Sequence, residues 1–149
     1  MSVRMNAEQP RGVGVGDRAR SSVENGVRAE RVLVVDDHDL FRQTLALVLE
    51  QHADFRKKAQ AGSIAEARQV IGGPGGKPHL VVVDLDLGDA SVSQLMGELC
   101  EAGVAVLALT TSQDTGLRDR ALRAGADEVH TTTAPIKEII AAAQRLVGR

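Results

Sequence analysis

The chain has 149 residues and a formal net charge of −2, which suits one domain with a buried core and excludes the basic footprint of an autonomous nucleic-acid binder. A single cysteine, Cys100, rules out an intramolecular disulfide, and Phe41 and Phe55 are the only aromatics, too few for a platform that stacks single-stranded nucleic acid. No apolar run reaches the length of a membrane span and no signal-peptide core is visible, so the expectation is a cytoplasmic protein with no membrane partner and a reduced thiol.

Residues 1–29 carry Gly12, Gly14 and Gly16 among scattered Arg and Ser without apolar periodicity, which predicts a disordered N-terminal arm and leaves residues 30–149 for the fold. The glycines lack the strand and helix that a phosphate loop requires. Next, Val32, Leu33, Val34 and Val35 form a β-branched run that ends in Asp36 and Asp37, the pattern of a buried strand over 31–35. Leu40, Phe41, Thr44, Leu45, Val48 and Leu49 then recur at helical spacing. A polar segment from Phe55 to Ala59 reads as an edge strand, guarded by Lys57 and Lys58. Ser63 and Glu66 form a capping box for a short helix through Ile71, and the glycine-rich stretch 72–76 is a linker into the third strand.

That third strand, Leu80, Val81, Val82 and Val83, ends in Asp84, Leu85 and Asp86. Val92, Leu95, Met96, Leu99 and Cys100 follow as a helical stripe, with Cys100 taken as a small core residue. A fourth strand over 104–109 ends at Thr110, a helix over 118–124 closes at Gly125, and a fifth strand over 128–131 precedes a last helix started by Thr133 and Pro135. Its expected core face is Ile136, Ile139, Ile140, Ala143 and Val147. Strands alternating with helices predict βαβ units and a parallel sheet covered on both faces. In such sheets ligands bind beyond the carboxyl ends of the strands, so Asp36, Asp37 and Asp84 converge there. Two unit charges about 4 Å apart interact by roughly 4 kcal/mol at an effective dielectric near 20, and an oxygen-only cluster of this kind suits Mg²⁺. His38, His52, His79 and His130 show no ligand spacing, which argues against a transition-metal site.

An Asp pair after the first strand, an Asp after the third, a hydroxyl after the fourth and Ala124-Gly125-Ala126-Asp127 before the fifth together resemble the receiver domain of two-component response regulators. The segment from Val34 to Arg42 looks most like receivers that precede a LuxR/NarL-type helix-turn-helix in bacterial transcriptional regulators. The resemblance implies a flavodoxin-like (βα)5 fold, a doubly wound five-stranded parallel sheet of order 2-1-3-4-5. It further implies that Asp84 is the phosphoacceptor and that Asp36, Asp37, Asp84 and the backbone carbonyl of Asp86 hold Mg²⁺, Asp36 mainly through water. Thr110 would sense the phosphoryl group. The implied partners are a sensor histidine kinase and a downstream protein or covalently linked DNA-binding output domain absent from this chain, with homodimerisation left open.

Departures from the family pattern accompany these matches. Thr132 stands where the family has a Lys, and Val129 where it has an aromatic switch residue. Lys137 falls within the last helix as an expected surface charge, and Gly88-Asp89 replaces a common Pro-Gly, implying an altered loop. Two other readings are therefore carried: an atypical receiver that binds partners independently of phosphorylation, and a haloacid-dehalogenase-type phosphatase. The second resembles this chain at Asp84-Leu85-Asp86, but that family places the motif on its first strand and needs a later Lys and a further acidic pair. The leading expectation is a signalling module, not a turnover enzyme.

Overall fold

The computed structural model describes residues 30–52, 55–87 and 90–148. Five strands alternate with five helices: β1 (Glu30–Val35), α1 (Asp39–His52), β2 (Phe55–Ala61), α2 (Ile64–Ile71), β3 (Leu80–Asp84), α3 (Ala90–Glu101), β4 (Ala105–Thr110), α4 (Thr115–Ala124), β5 (Glu128–Thr131) and α5 (Ile136–Val147). A short 3-10 turn, Leu85–Leu87, leaves β3. All strands pair in parallel in the order β2-β1-β3-β4-β5, the doubly wound arrangement expected. The arm predicted over 1–29 and the Gly88-Asp89 loop lie outside the described residues. Among the described residues, no helix is long and apolar enough to cross a membrane.

The two-residue period of the strands divides the core. Leu33, Val35, Val81, Val83, Val106 and Ala108 face α2, α3 and α4, where they meet Ala67, Leu95, Met96, Leu99 and Ala121. Val32, Val34, Leu80, Val82, Leu107 and Leu109 face α1 and α5, against Leu45, Leu49, Ile139, Ala142 and Leu146. Each such branched side chain, fully buried, contributes roughly 1.5 to 3 kcal/mol relative to exposure. β2 pairs with β1 and lies at the sheet edge; Arg56, Lys57 and Lys58 are exposed there, and Lys58 Nζ reaches Glu50 Oε1 at 3.0 Å.

Several local expectations shift. Leu40 is 79% exposed and Thr44 is exposed, because the buried stripe of α1 is Leu45, Ala46 and Leu49. Ile136 is likewise exposed, since the buried face of α5 is Ile139, Ala142, Ala143 and Leu146. Cys100 is exposed, not core, lying at the edge of the stripe formed by Val92, Leu95, Met96 and Leu99. α4 starts three residues before the expected Arg118, because the Asp114 side chain accepts from Gly116 N and caps it. At α2, Ser63 Oγ accepts from Glu66 N as expected, but Glu66 Oε1 accepts from the N–H of Gly62, one residue before the cap.

Gly125 ends α4 with φ +129°, and a Cβ built there would lie 2.6 Å from the carbonyl oxygen of Met96 on α3. Both the backbone angle and the approach of the two helices require glycine. Gly125→Ala is expected to destabilise the protein by more than about 1 kcal/mol, read as a lower urea midpoint with an unchanged slope.

Strand register sets the site. Val35 pairs with Val83, so Asp36 and Asp84 leave the sheet side by side. Asp84 pairs with Leu109, which puts Thr110 one residue beyond it on β4, paired with Thr131.

Candidate functional site

The carboxyl end of the sheet gathers Asp36, Asp37, His38 and Asp84, each with one potential ligand atom within 4.8 Å of the others. Asp84 is 4% and Asp36 3% exposed, while Asp37 and His38 face solvent. The backbone holds Asp36 through its N–H, which donates to Ala61 O at 3.0 Å, and through its carbonyl, which accepts from Arg42 Nη1 at 2.8 Å. Arg42 thus ties α1 to the end of β1, and it also pairs with Asp39 at 2.9 Å.

Burial pushes the Asp84 carboxyl up to about 6, and the neighbouring charges of Asp36, Asp86 and Asp37 add to that push. The N–H of Asp86, donating to Asp84 Oδ1 at 2.8 Å, offsets part of it. The site therefore holds a desolvated carboxylate that resists carrying its charge in the absence of a cation. The three carboxylates offer hard oxygen donors close together, which fits Mg²⁺; these are the residues that could hold it.

His38 was the residue that sequence spacing missed. Its Nδ1 lies 3.1 Å from Asp36 Oδ1 and 3.2 Å from Asp37 Oδ1, and its backbone N–H donates to Asp36 Oδ1 at 2.8 Å. The hydrogen bond to Asp36, followed by the charge of Asp37, raises its pKa above the ordinary value. The available signal was its place directly after the Asp pair, where the chain turns into α1. The other histidines stand apart from this cluster: His79 Nδ1 accepts from Arg31 N at 2.9 Å, His130 bonds Glu128, and His52 is exposed.

Asp86, expected to act through its backbone carbonyl, also engages its side chain. Its Oδ1 accepts from Thr110 Oγ1 at 2.8 Å and its Oδ2 from Thr111 N at 2.7 Å. Burial pushes this carboxyl up, but the Thr111 and Thr110 hydrogen bonds outweigh it and hold the pKa below the ordinary carboxylate value. Thr110 is 3% exposed and its Oγ1 also accepts from Ser112 N at 3.0 Å.

Thr132 lies beyond β5, its N–H donating to Thr110 O at 2.9 Å, so it does come to the same end of the sheet as Thr110. Val129 is buried within the core beneath α4, and its carbonyl accepts from Arg118 Nη1 at 2.8 Å. Lys137 is exposed on α5.

The family model described as "Response regulator receiver domain" matches residues 32–144. The transcriptional regulatory protein UhpA of Salmonella typhimurium is 31% identical over 111 residues, covering 74% of this chain and 55% of that protein, so this chain spans about half the length of that relative. A crystal structure of a response regulator protein from Burkholderia pseudomallei, described with a phosphorylated aspartic acid, calcium ion and citrate, is similar at a TM-score of 0.67 and 30% identity, over 80% of this chain and 69% of that one. A DNA-binding response regulator of the LuxR family from Staphylococcus aureus shares the fold at a TM-score of 0.70 and 18% identity, over 79% of this chain and 98% of that one.

Proposed function

Because this chain belongs to the response regulator receiver domain family, we propose that in the cytoplasm it accepts a phosphoryl group on Asp84 from a sensor histidine kinase and signals by changed affinity for a partner. The observation that carries this reading is the gathering of Asp36, Asp37 and Asp84 at one end of the sheet, around a buried carboxyl pushed up to about 6. The phosphorylated aspartate and calcium ion described for the Burkholderia relative support it.

In the reaction, an Asp84 carboxylate oxygen forms a bond to phosphorus while the bond from phosphorus to the donor nitrogen breaks and returns its electron pair to that nitrogen; with the donor ring protonated on its other nitrogen, the products are an acyl phosphate and a neutral imidazole. Asp36, Asp37, Asp84 and the backbone carbonyl of Asp86 would hold Mg²⁺, which when bound supplies the neutralising charge that lets one anion approach another. The hydrogen bond from Asp86 N aims Asp84 Oδ1 and leaves its second oxygen for the incoming group. Thr110, whose hydroxyl donates to Asp86 Oδ1 at 2.8 Å, would donate it instead to a phosphoryl oxygen. Similarity to UhpA supports transcriptional regulation as the output, through a DNA-binding domain or a separate partner. Intact-mass measurement after incubation with a small acyl-phosphate donor and Mg²⁺ tests the reading: a gain of one phosphoryl group is expected, and no gain, or a gain unaffected by EDTA, contradicts it.

A second reading, an atypical receiver that binds partners without phosphorylation, draws on Thr132 and on the buried Val129, which offers no aromatic ring to move between surface and core. A charged donor to a phosphoryl oxygen contributes roughly 1.5 to 3 kcal/mol, more than a neutral hydroxyl. Thr132→Lys is therefore expected to raise the labelling rate and enlarge the amide shifts that a beryllofluoride mimic induces around Thr110 and β5. Large and equal shifts in wild type and Thr132→Lys would show that switching does not need the Lys, and would remove the second reading.

A further inference from the structure

Between the phosphoacceptor and its sensing hydroxyl stands a second carboxylate with its own hydrogen bonds. We propose that the Asp86 side chain is an internal competitor of the phosphoryl group: a positioning residue that holds Thr110 and Thr111 in the unphosphorylated arrangement and must release them when Asp84 is modified. The inference rests on the phosphoacceptor reading given above, which it deepens.

The Thr110 hydroxyl has one proton to donate. That proton is directed at Asp86 Oδ1 over 2.8 Å, while the adjacent Thr111 N–H occupies Asp86 Oδ2 over 2.7 Å. One carboxylate thus spans two consecutive donors at the point where β4 leaves the sheet, and Thr110 is almost wholly buried there. Hydrogen bonds to an ionised acceptor are about twice as strong as neutral ones. A phosphoryl oxygen on Asp84 needs the same proton, so the bond to Asp86 has to break before Thr110 can serve it.

The two events are joined mechanically. Asp86 N donates to Asp84 Oδ1 at 2.8 Å, so the competitor and the phosphoacceptor sit on a single turn, the 3-10 segment Leu85–Leu87 and the strand end before it. Rotation at Asp84 is transmitted to Asp86 through the single intervening residue, Leu85. With Thr132 providing no cation at this end of the sheet, a phosphoryl group there would draw, beyond the Mg²⁺, on the Thr110 and Thr111 donors. Those are the two groups that Asp86 already occupies.

The test compares the full chain as wild type, Asp86→Ala and Asp86→Asn, each with and without Thr110→Val. In metal-free buffer, Thr111 amide hydrogen exchange should accelerate in Asp86→Ala, a readout that requires no phosphoryl chemistry. With Mg²⁺, beryllofluoride should bind Asp86→Ala more tightly than wild type, by a factor on the order of ten. Much of this gain should vanish in the Thr110→Val background, where there is no hydroxyl to release. Simple loss of a repelling charge would instead give the same gain in both backgrounds and in Asp86→Asn, and that result would overturn the proposal. Equal beryllofluoride affinity in wild type and Asp86→Ala, with both binding, would also overturn it and leave Asp84 as phosphoacceptor. Binding to neither would overturn the phosphoacceptor reading itself, and the competition with it.

Discussion

Asp84→Asn is expected to end phosphoryl uptake altogether and, in metal-free buffer at pH 7, to make the folded protein more stable by about 2 to 3 kcal/mol. The two effects have one cause, a carboxylate buried beside Asp36, Asp37 and Asp86 where its charge is costly. The folded-state pKa of Asp84 is about 6, above the ordinary value of 3.8 that it regains on unfolding. Below pH 4 it is protonated in both states and contributes nothing. Between pH 4 and 6 the unfolded chain releases the proton first, so stability falls as pH rises; above pH 6 the full penalty is present. Removing the carboxylate removes that loss. Urea unfolding followed by far-ultraviolet circular dichroism suits a chain without Trp or Tyr. The stability difference between variant and wild type should grow from pH 4 to 6 and then level. A variant less stable than wild type at pH 7 would mean that the hydrogen bond from Asp86 N outweighs desolvation.

Mg²⁺ should reverse the same penalty. A ligand that binds only the folded state stabilises it by about 2.7 kcal/mol at a hundredfold excess over its dissociation constant. For a domain of this size that corresponds to roughly 10 °C in melting temperature. Asp37→Ala should remove most of the rise, because Asp37 is the exposed carboxylate of the cluster and is free to turn toward a cation. Retention of the full rise would place the bound cation elsewhere. Protonated His38 competes for the same carboxylates through its contacts at 3.1 and 3.2 Å, so the Mg²⁺-induced rise should weaken as pH falls through the raised His38 pKa.

The parallel pairing of the strands was legible because β1, β3 and β4 read as continuous apolar runs, the pattern of strands buried on both faces, whereas their order followed only from the family resemblance. The acidic site was legible for the same reason: a carboxylate at the end of such a run has only the sheet's carboxyl edge to occupy. Helix faces were less so. Leu40 and Ile136 lie in the first turns of their helices with their side chains exposed, and periodicity alone extended the apolar stripe over them. The Asp86 clamp left no trace in the sequence, because it joins residues 24 and 25 positions apart. Register between β3 and β4, set by side-chain packing, decides that contact. Likewise, spacing alone gives His38 no ligand role beyond its place in the family-like segment, yet the turn after Asp37 folds it back onto the two preceding carboxylates.

The most direct measurement is site mapping: the wild-type chain is labelled by a small acyl-phosphate donor with Mg²⁺, the acyl phosphate is trapped by borohydride reduction, and the modified residue is identified by peptide fragmentation. Modification at Asp84 alone is predicted. Modification at Asp36, Asp37 or Asp86, or at none of them, would contradict the assignment of Asp84 as the phosphoacceptor.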